Sequence, residues 1–122
     1  ADVTVISYGA MLYEALDAVG KAAAQGIDCE VVDLRTLWPL DVDTIIASVK
    51  KTGRAGVLHD APEACGLGGE IVALINEKAF LHLEAPPRRV TGFDTPFPYT
   101  LEMDYLPLSH RILPALVETA RY

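Results

Sequence analysis

Apolar and polar positions change their period several times along the 122 residues, and each change marks an element. Val3–Tyr8 is a short, mostly apolar run closed by Gly9, which predicts a buried strand. Leu12, Ala15, Leu16, Val19 and Ala23 then recur at helical spacing, predicting a helix that ends before Gly26. Glu30–Leu34 reads as a second strand, apolar on both faces through Val31, Val32 and Leu34, as in a sheet covered on both sides. Trp38-Pro39-Leu40 stops that run, because proline restricts itself and the residue before it. Asp41 stands at an N-cap position, where its carboxylate can accept from a free backbone N–H. Val42, Ile45, Ile46 and Val49 follow on one helical face, Lys50 and Lys51 favour the helix C-terminus, and Gly53 releases the chain. Ala55–His59 is a third strand. Pro62 with Gly66, Gly68 and Gly69 makes a loop, and Ile71, Leu74, Ile75 and Ala79 mark a helix to about Leu83. Arg89–Gly92 is a short fourth strand. A connection containing Pro96, Pro98 and Pro107 leads to a last helix carrying Leu113, Leu116, Val117 and Ala120.

Strands alternating with helices imply a parallel sheet with right-handed crossovers. The expected fold is α/β, a three-layer α/β/α arrangement with a mainly parallel sheet of order 2-1-3-4, and residues 1–122 form one domain. The proline-containing stretch 86–107 is expected to be a shaped surface connection rather than a linker, because a helix docks after it. Half the residues are apolar and 22% are charged, which excludes a disordered chain. No apolar run approaches the roughly 20 residues of a membrane span, and no basic-then-apolar leader opens the chain. Net charge is −7, with 9 acids and 5 bases in residues 1–60 and 8 and 5 in the rest. That distribution offers no basic stripe for nucleic acid and suits a basic protein partner. Cys29 and Cys65 have no framework spacing and read as two reduced thiols.

In a doubly wound sheet, ligands bind beyond the carboxyl ends of the strands at the switch point, here residues 8–10 and 59–61. A dinucleotide site needs G-x-G-x-x-G after the first strand, whereas this chain has SYGAMLYE with one glycine; Asp33 alone stands where a ribose-binding acid would. GLGGE (66–70) opens a helix but lacks the lysine and hydroxyl of a phosphate loop. It is expected to be a tight helix entry whose glycines permit close packing against a second subunit. His59 and Asp60, at a strand end, are the best-placed acid–base pair, yet no Ser or Cys nucleophile stands beside them. His59 is therefore expected at an interface, hydrogen-bonded to a neighbour. His82 and His110 read as surface residues, and no His–carboxylate spacing fits a metal.

Four segments carry a resemblance: VVDLRTLWPLDVDTI with VKKTGR (31–54), LHDAPEACGLGGEI (58–71), LEAPPRRVTGFDTPFPY (83–99) and YLPLSHRIL (105–113). In this order and spacing they resemble the C-terminal domain of the β subunit of 2-oxo acid dehydrogenases (the E1 component), within the wider transketolase C-terminal group. FDTPFPY and LWPLDVDTI look most like branched-chain (2-oxoisovalerate) members. The resemblance implies a thiamine-diphosphate-dependent enzyme of α2β2 form that decarboxylates 2-oxo acids and acylates a lipoyl group on the E2 acyltransferase.

In that family the diphosphate and magnesium belong to the α subunit, and the aminopyrimidine to an N-terminal domain of the β subunit. That domain, and one further antiparallel strand, would precede residue 1, which the start at Ala1-Asp2 suggests is a cut end. No residue of this chain is then expected to be catalytic, cofactor-binding or metal-ligating. The domain would instead contact the E1 α subunit and a second β subunit, and present a docking surface to the E2 subunit-binding domain. Glu84 is the docking residue carried over. His59, Pro62, Gly66, Leu67, Gly68 and Gly69 are expected at the subunit interface, and Arg88 or Arg89 are candidate internal partners of Glu84. The implied location is bacterial cytoplasm or mitochondrial matrix. Pyruvate or acetoin members, other transketolase-type C-terminal domains such as those of a synthase or a ferredoxin oxidoreductase, and a stand-alone small-molecule-binding α/β domain are the alternatives.

Overall fold

A computed structural model describes residues 1–122. The four strands are β1 (Val3–Ser7), β2 (Cys29–Asp33), β3 (Ala55–Pro62) and β4 (Arg88–Gly92), and the helices are α1 (Met11–Ala23), α2 (Val42–Thr52), α3 (Leu67–Ala79), α4 (Glu102–Tyr105) and α5 (Ser109–Ala120). The sheet is wholly parallel with order β2-β1-β3-β4. The expected α/β fold is therefore present.

Period-2 alternation sorts the sheet's side chains between two cores. Val3, Val5, Leu58 and Val90 pack with Ala15, Ala18 and Ala22 of α1 and Ile112 and Leu116 of α5. Ile6, Val32, Ala55 and Val57 pack with Ile45, Ile46 and Val49 of α2 and Ile71 and Ile75 of α3 on the opposite face. A polar seam interrupts the second layer, where buried Thr4 Oγ1 lies 2.8 Å from both Ser48 Oγ and Thr52 Oγ1 of α2. Hydroxyls that satisfy one another there avoid the cost of burying them unpaired.

The β2–α2 unit forms as its residues dictate. Asp41 Oδ1 accepts from Thr44 N at 3.1 Å, and this bond and the Thr44 hydroxyl hold the Asp41 carboxyl below its ordinary value. Gly53 closes α2 at φ 70°, a left-handed position that suits glycine. The Trp38-Pro39 peptide is cis.

Two expectations need correction, the burial of Val31 and the end of the third helix, and two others gain detail, the 86–107 connection and the start of the last helix. β2 is the sheet edge, so Val31 is only half-buried and just Val32 and Leu34 are enclosed. The third helix stops at Ala79 and tightens into a single 3₁₀ turn, Phe80–His82. The 86–107 connection holds the short helix α4, pinned by buried Tyr105, whose ring meets Phe93 and Phe97 edge-on. The last helix begins at Ser109, with Pro114 inside it, because Glu14 Oε2 accepts from Ser109 N at 2.8 Å and caps the new start. No helix is long and apolar enough to cross a membrane.

Candidate functional site

Two ends of the sheet carry the residues that chemistry or docking would use. At the carboxyl end, Ala55, Val57 and His59 alternate toward the α2/α3 face, so strand period carries the imidazole inward. A bulge between β3 and β4, where Leu58 pairs with Val90 but Pro62 with Gly92, then lifts the chain away from regular pairing. His59 is fully buried. Its Nδ1 lies 3.1 Å from the Ala61 carbonyl, and its Nε2 has no partner. Burial lowers the pKa of His59, against the opposing pull of the Ala61 bond and Asp60. Tyr8 stacks on the ring at 6.2 Å, and burial, aided by Asp60, raises its phenol.

The glycines of the 66–69 segment close on that ring. A Cβ at Gly66 would lie 2.7 Å from His59 Cε1, and one at Gly68 2.6 Å from Nε2. The close approach predicted from GLGG is made, at Gly66 and Gly68, to His59 of the same chain. His59 itself lies beneath the loop and not on an outer face. Pro62, Glu63, Ala64 and Cys65 form the exposed outer side, with Leu67 half-buried beside them. Arg89 ties the loop to β4 through the Glu63 carbonyl (3.0 Å) and carboxylate (2.9 Å), and Asp94 accepts from Ala64 N at 2.8 Å. Arg111 donates to the Tyr105 and Thr91 carbonyls and lies 4.3 Å over the Phe93 ring.

The amino end is built differently. Glu84 is exposed, receives Arg54 at 2.7 Å, and arches over Gly53, whose carbonyl accepts Glu84 N at 2.8 Å. Its partner is thus Arg54. Arg88 pairs with Glu118 and Arg89 with Glu63, because consecutive positions of β4 face opposite sides of the sheet and each meets its own carboxylate there. Beside Glu84 a groove of about 680 Å³ runs between the end of α3 and the chain terminus, lined by Val72, Phe80, Leu81, Leu83, Pro86 and Tyr122 among others. Leu81 is 92% and Tyr122 76% exposed, so the groove has apolar walls facing water. Sequence reasoning singled out Glu84 and missed the groove. Its signal was the pair Phe80-Leu81, which sits off the buried stripe of α3.

His82 and His110 are at the surface, and Asp33 pairs with Arg35. Both cysteines are free; burial pushes the Cys29 thiol up to about 11. No group of three His, Cys, Asp or Glu stands close enough to hold a metal ion. The start of α3, the one glycine-rich helix entry, is filled by the His59 ring. These residues do not fit a diphosphate–magnesium group.

An α/β/α domain of this topology, with a glycine-closed β3–α3 turn, belongs to a recognised class. Residues 1–112 match the family model described as "Transketolase, C-terminal domain", and the chain belongs to that family. It is 51% identical over 114 residues to the 2-oxoisovalerate dehydrogenase subunit beta of Pseudomonas aeruginosa, covering 92% of this chain and 31% of that protein. It is 50% identical over 121 residues to the pyruvate dehydrogenase E1 component subunit beta of Bacillus subtilis, covering 98% of this chain and 36% of that protein. The chain thus spans about a third of the relatives it matches. Among solved structures, a split-gene transketolase described as an inactive beta4 tetramer superposes with TM-score 0.84 at 26% identity, covering 98% of this chain and 38% of that one. A 2-oxoglutarate:ferredoxin oxidoreductase shares the fold, with TM-score 0.67 at 18% identity over 98% of this chain and 18% of that one.

Proposed function

We propose that this domain is the assembly and docking part of the β subunit of a thiamine-diphosphate-dependent 2-oxo acid dehydrogenase, with branched-chain 2-oxo acids as the substrates of the whole enzyme. The observation that carries it is the near-complete alignment of this chain, at about half identity, with the corresponding third of two such β subunits. Identities of 51% and 50% to the two kinds do not separate the substrates; the branched-chain reading rests on the FDTPFPY and LWPLDVDTI segments. The chemistry belongs to the cofactor, held by an α subunit and a preceding domain, and this chain supplies surfaces.

Two surfaces serve that role. The outer side of the 58–70 segment, from Pro62 through Leu67, faces a second β subunit, supported from beneath by His59 and the glycines; assembly of β chains alone in the split transketolase is in keeping with this. Glu84 and its groove take the basic subunit-binding domain of the acyltransferase, while an α subunit completes the enzyme elsewhere. The protein, added in excess, is expected to compete with intact E1 for the subunit-binding domain in a plasmon-resonance assay. No competition at low salt removes the docking role. A complete β subunit carrying this sequence is expected to favour branched-chain 2-oxo acids over pyruvate by at least tenfold in kcat/KM, and a reversed preference overturns the substrate reading. Micromolar, magnesium-dependent binding of thiamine diphosphate to this chain alone, read by calorimetry, would overturn the division of roles.

A further inference from the structure

A fully buried imidazole with an unpartnered nitrogen is a polar group that assembly and docking do not use. The sole partner of Nδ1 is the Ala61 carbonyl, and a carbonyl only accepts, so Nδ1 carries the proton. In the neutral ring Nε2 is then a lone pair. It faces Gly66 and Gly68, close enough that a Cβ on Gly68 would stand 2.6 Å away. Leu67 and Gly68 lie in the first turn of α3, whose amides lack intrahelical acceptors and form the positive end of the helix dipole. That end favours a lone pair and opposes a proton.

We propose that His59 is a neutral latch that holds residues 60–66 closed over the start of α3, and that protonation of Nε2 opens this loop while the rest of the sheet stays folded. A proton on Nε2 would place a buried N–H against two glycines with no acceptor, a costly state that exposure to water relieves. Charged and titratable groups around the ring pull both ways. Asp60 on β3 favours the cation and Arg89 on β4 opposes it. Arg89 is itself occupied by Glu63 of the loop, Tyr8 of β1 covers the ring, and Glu70 stands in the first turn of α3. Burial outweighs Asp60, so the imidazole stays neutral below its ordinary value near 6.5. The loop has its own reason to move, since Cys65 is held at φ 58°, a left-handed conformation unfavourable for a side chain with a Cβ.

The latch is independent of the docking reading and is tested on the protein itself. Nitrogen-15 spectra of the His59 ring at pH 8 are expected to show Nδ1 protonated and Nε2 bare. Acidification to pH 5 is expected to speed hydrogen exchange of amides 61–68, corrected for intrinsic rates, at least tenfold more than that of β1 and α1. In His59→Phe, which cannot take a proton, the loop's corrected exchange is expected to be flat with pH. A protonated Nε2 at pH 8, an ordinary titration near 6.5 without loop opening, or an unchanged pH response in His59→Phe each overturns it. Should His59→Phe not fold, the tautomer and the wild-type exchange profile still decide.

Discussion

At the carboxyl end of the sheet the chain's own groups close on one another, whereas at the amino end they leave a groove open. Around His59, glycines replace side chains so that backbone can touch an imidazole, and two arginines spend their donors on carbonyls of the same chain. Around Glu84, apolar side chains stand in water beside an ion pair whose carboxylate is exposed and whose Arg54 is largely buried. The first kind of surface is held rigid while His59 is neutral, because glycines and backbone carbonyls supply its tightest contacts. The second is suited to be covered, because exposed apolar walls gain free energy only when something buries them. Substitutions at the two ends should therefore fail differently: loss of the fold at one, loss of association at the other.

The largest effect is expected at Gly92. A Cβ there would overlap the Asp60 carbonyl and lie 2.6 Å from the Tyr105 hydroxyl, and a backbone carbonyl at the β3 bulge cannot swing aside. Gly92→Ala should lose about 3 kcal/mol in urea unfolding, at the upper end of ordinary overpacking. A loss below about 1 kcal/mol would show that the bulge gives way and that this end is less rigid than described. Gly68→Ala comes next, at about 2 kcal/mol, because the group it strikes is a ring rather than backbone. If the clash with His59 is the cause, His59→Ala and Gly68→Ala will be strongly non-additive, the double variant losing less than the sum.

The same contrast explains what was legible in the sequence. The parallel order, the Asp41 cap and the Gly53 stop follow from local pattern, and the structure has them. GLGG announced a close approach, but a glycine names no partner. Only the period-2 placement of His59 under α3 says that the partner lies in the same chain. The order 2-1-3-4 already put β2 at the edge, but the partial exposure of Val31 was hidden because Val31, Val32 and Leu34 read alike in a central or an edge strand. The start of α5 was hidden because its cap comes from Glu14, 95 residues away. The groove was missed because apolar residues were assigned to cores, and Phe80-Leu81 broke the helical stripe without a turn signal. The Arg54–Glu84 pair joins residues that are neighbours only once β3 and β4 lie side by side.

At the amino end Gly53→Ala tests backbone conformation with only a flexible side chain close by. Its φ of 70° disfavours any Cβ, and the nearest atom in its way, Glu84 Cγ at 2.9 Å, belongs to a flexible side chain, with the His82 carbonyl at 3.1 Å behind it. A loss of about 1 kcal/mol is expected, with Gly53→Asn recovering part of it because asparagine tolerates the left-handed region. A loss as large as that of Gly92→Ala would erase the distinction between the two ends.

The smallest change in stability, and the sharpest test of the open end, is at the ion pair. Glu84 is 61% exposed and Arg54 only 23%, and with the carboxylate end of the pair in water its contribution is no more than about 1 kcal/mol, so Glu84→Gln should unfold only slightly more easily than the parent. Its effect should appear in association with a basic partner. Removing a negative charge slows encounter, and raising ionic strength, which screens beyond roughly 8 Å in physiological salt, should shrink the difference. Arg54 makes the direction decisive. Part of the Glu84 field is spent on Arg54, so Arg54→Gln should release it and speed association while Glu84→Gln slows it. Opposite shifts in on-rate that fade with salt, with Glu84→Gln exceeding the same unit of charge removed by Asp43→Asn at the exposed start of α2, place the contact beside this pair. A Glu84→Gln effect no larger than that of Asp43→Asn would mean that only the chain's overall charge is read, and that the groove, not Glu84, selects the partner.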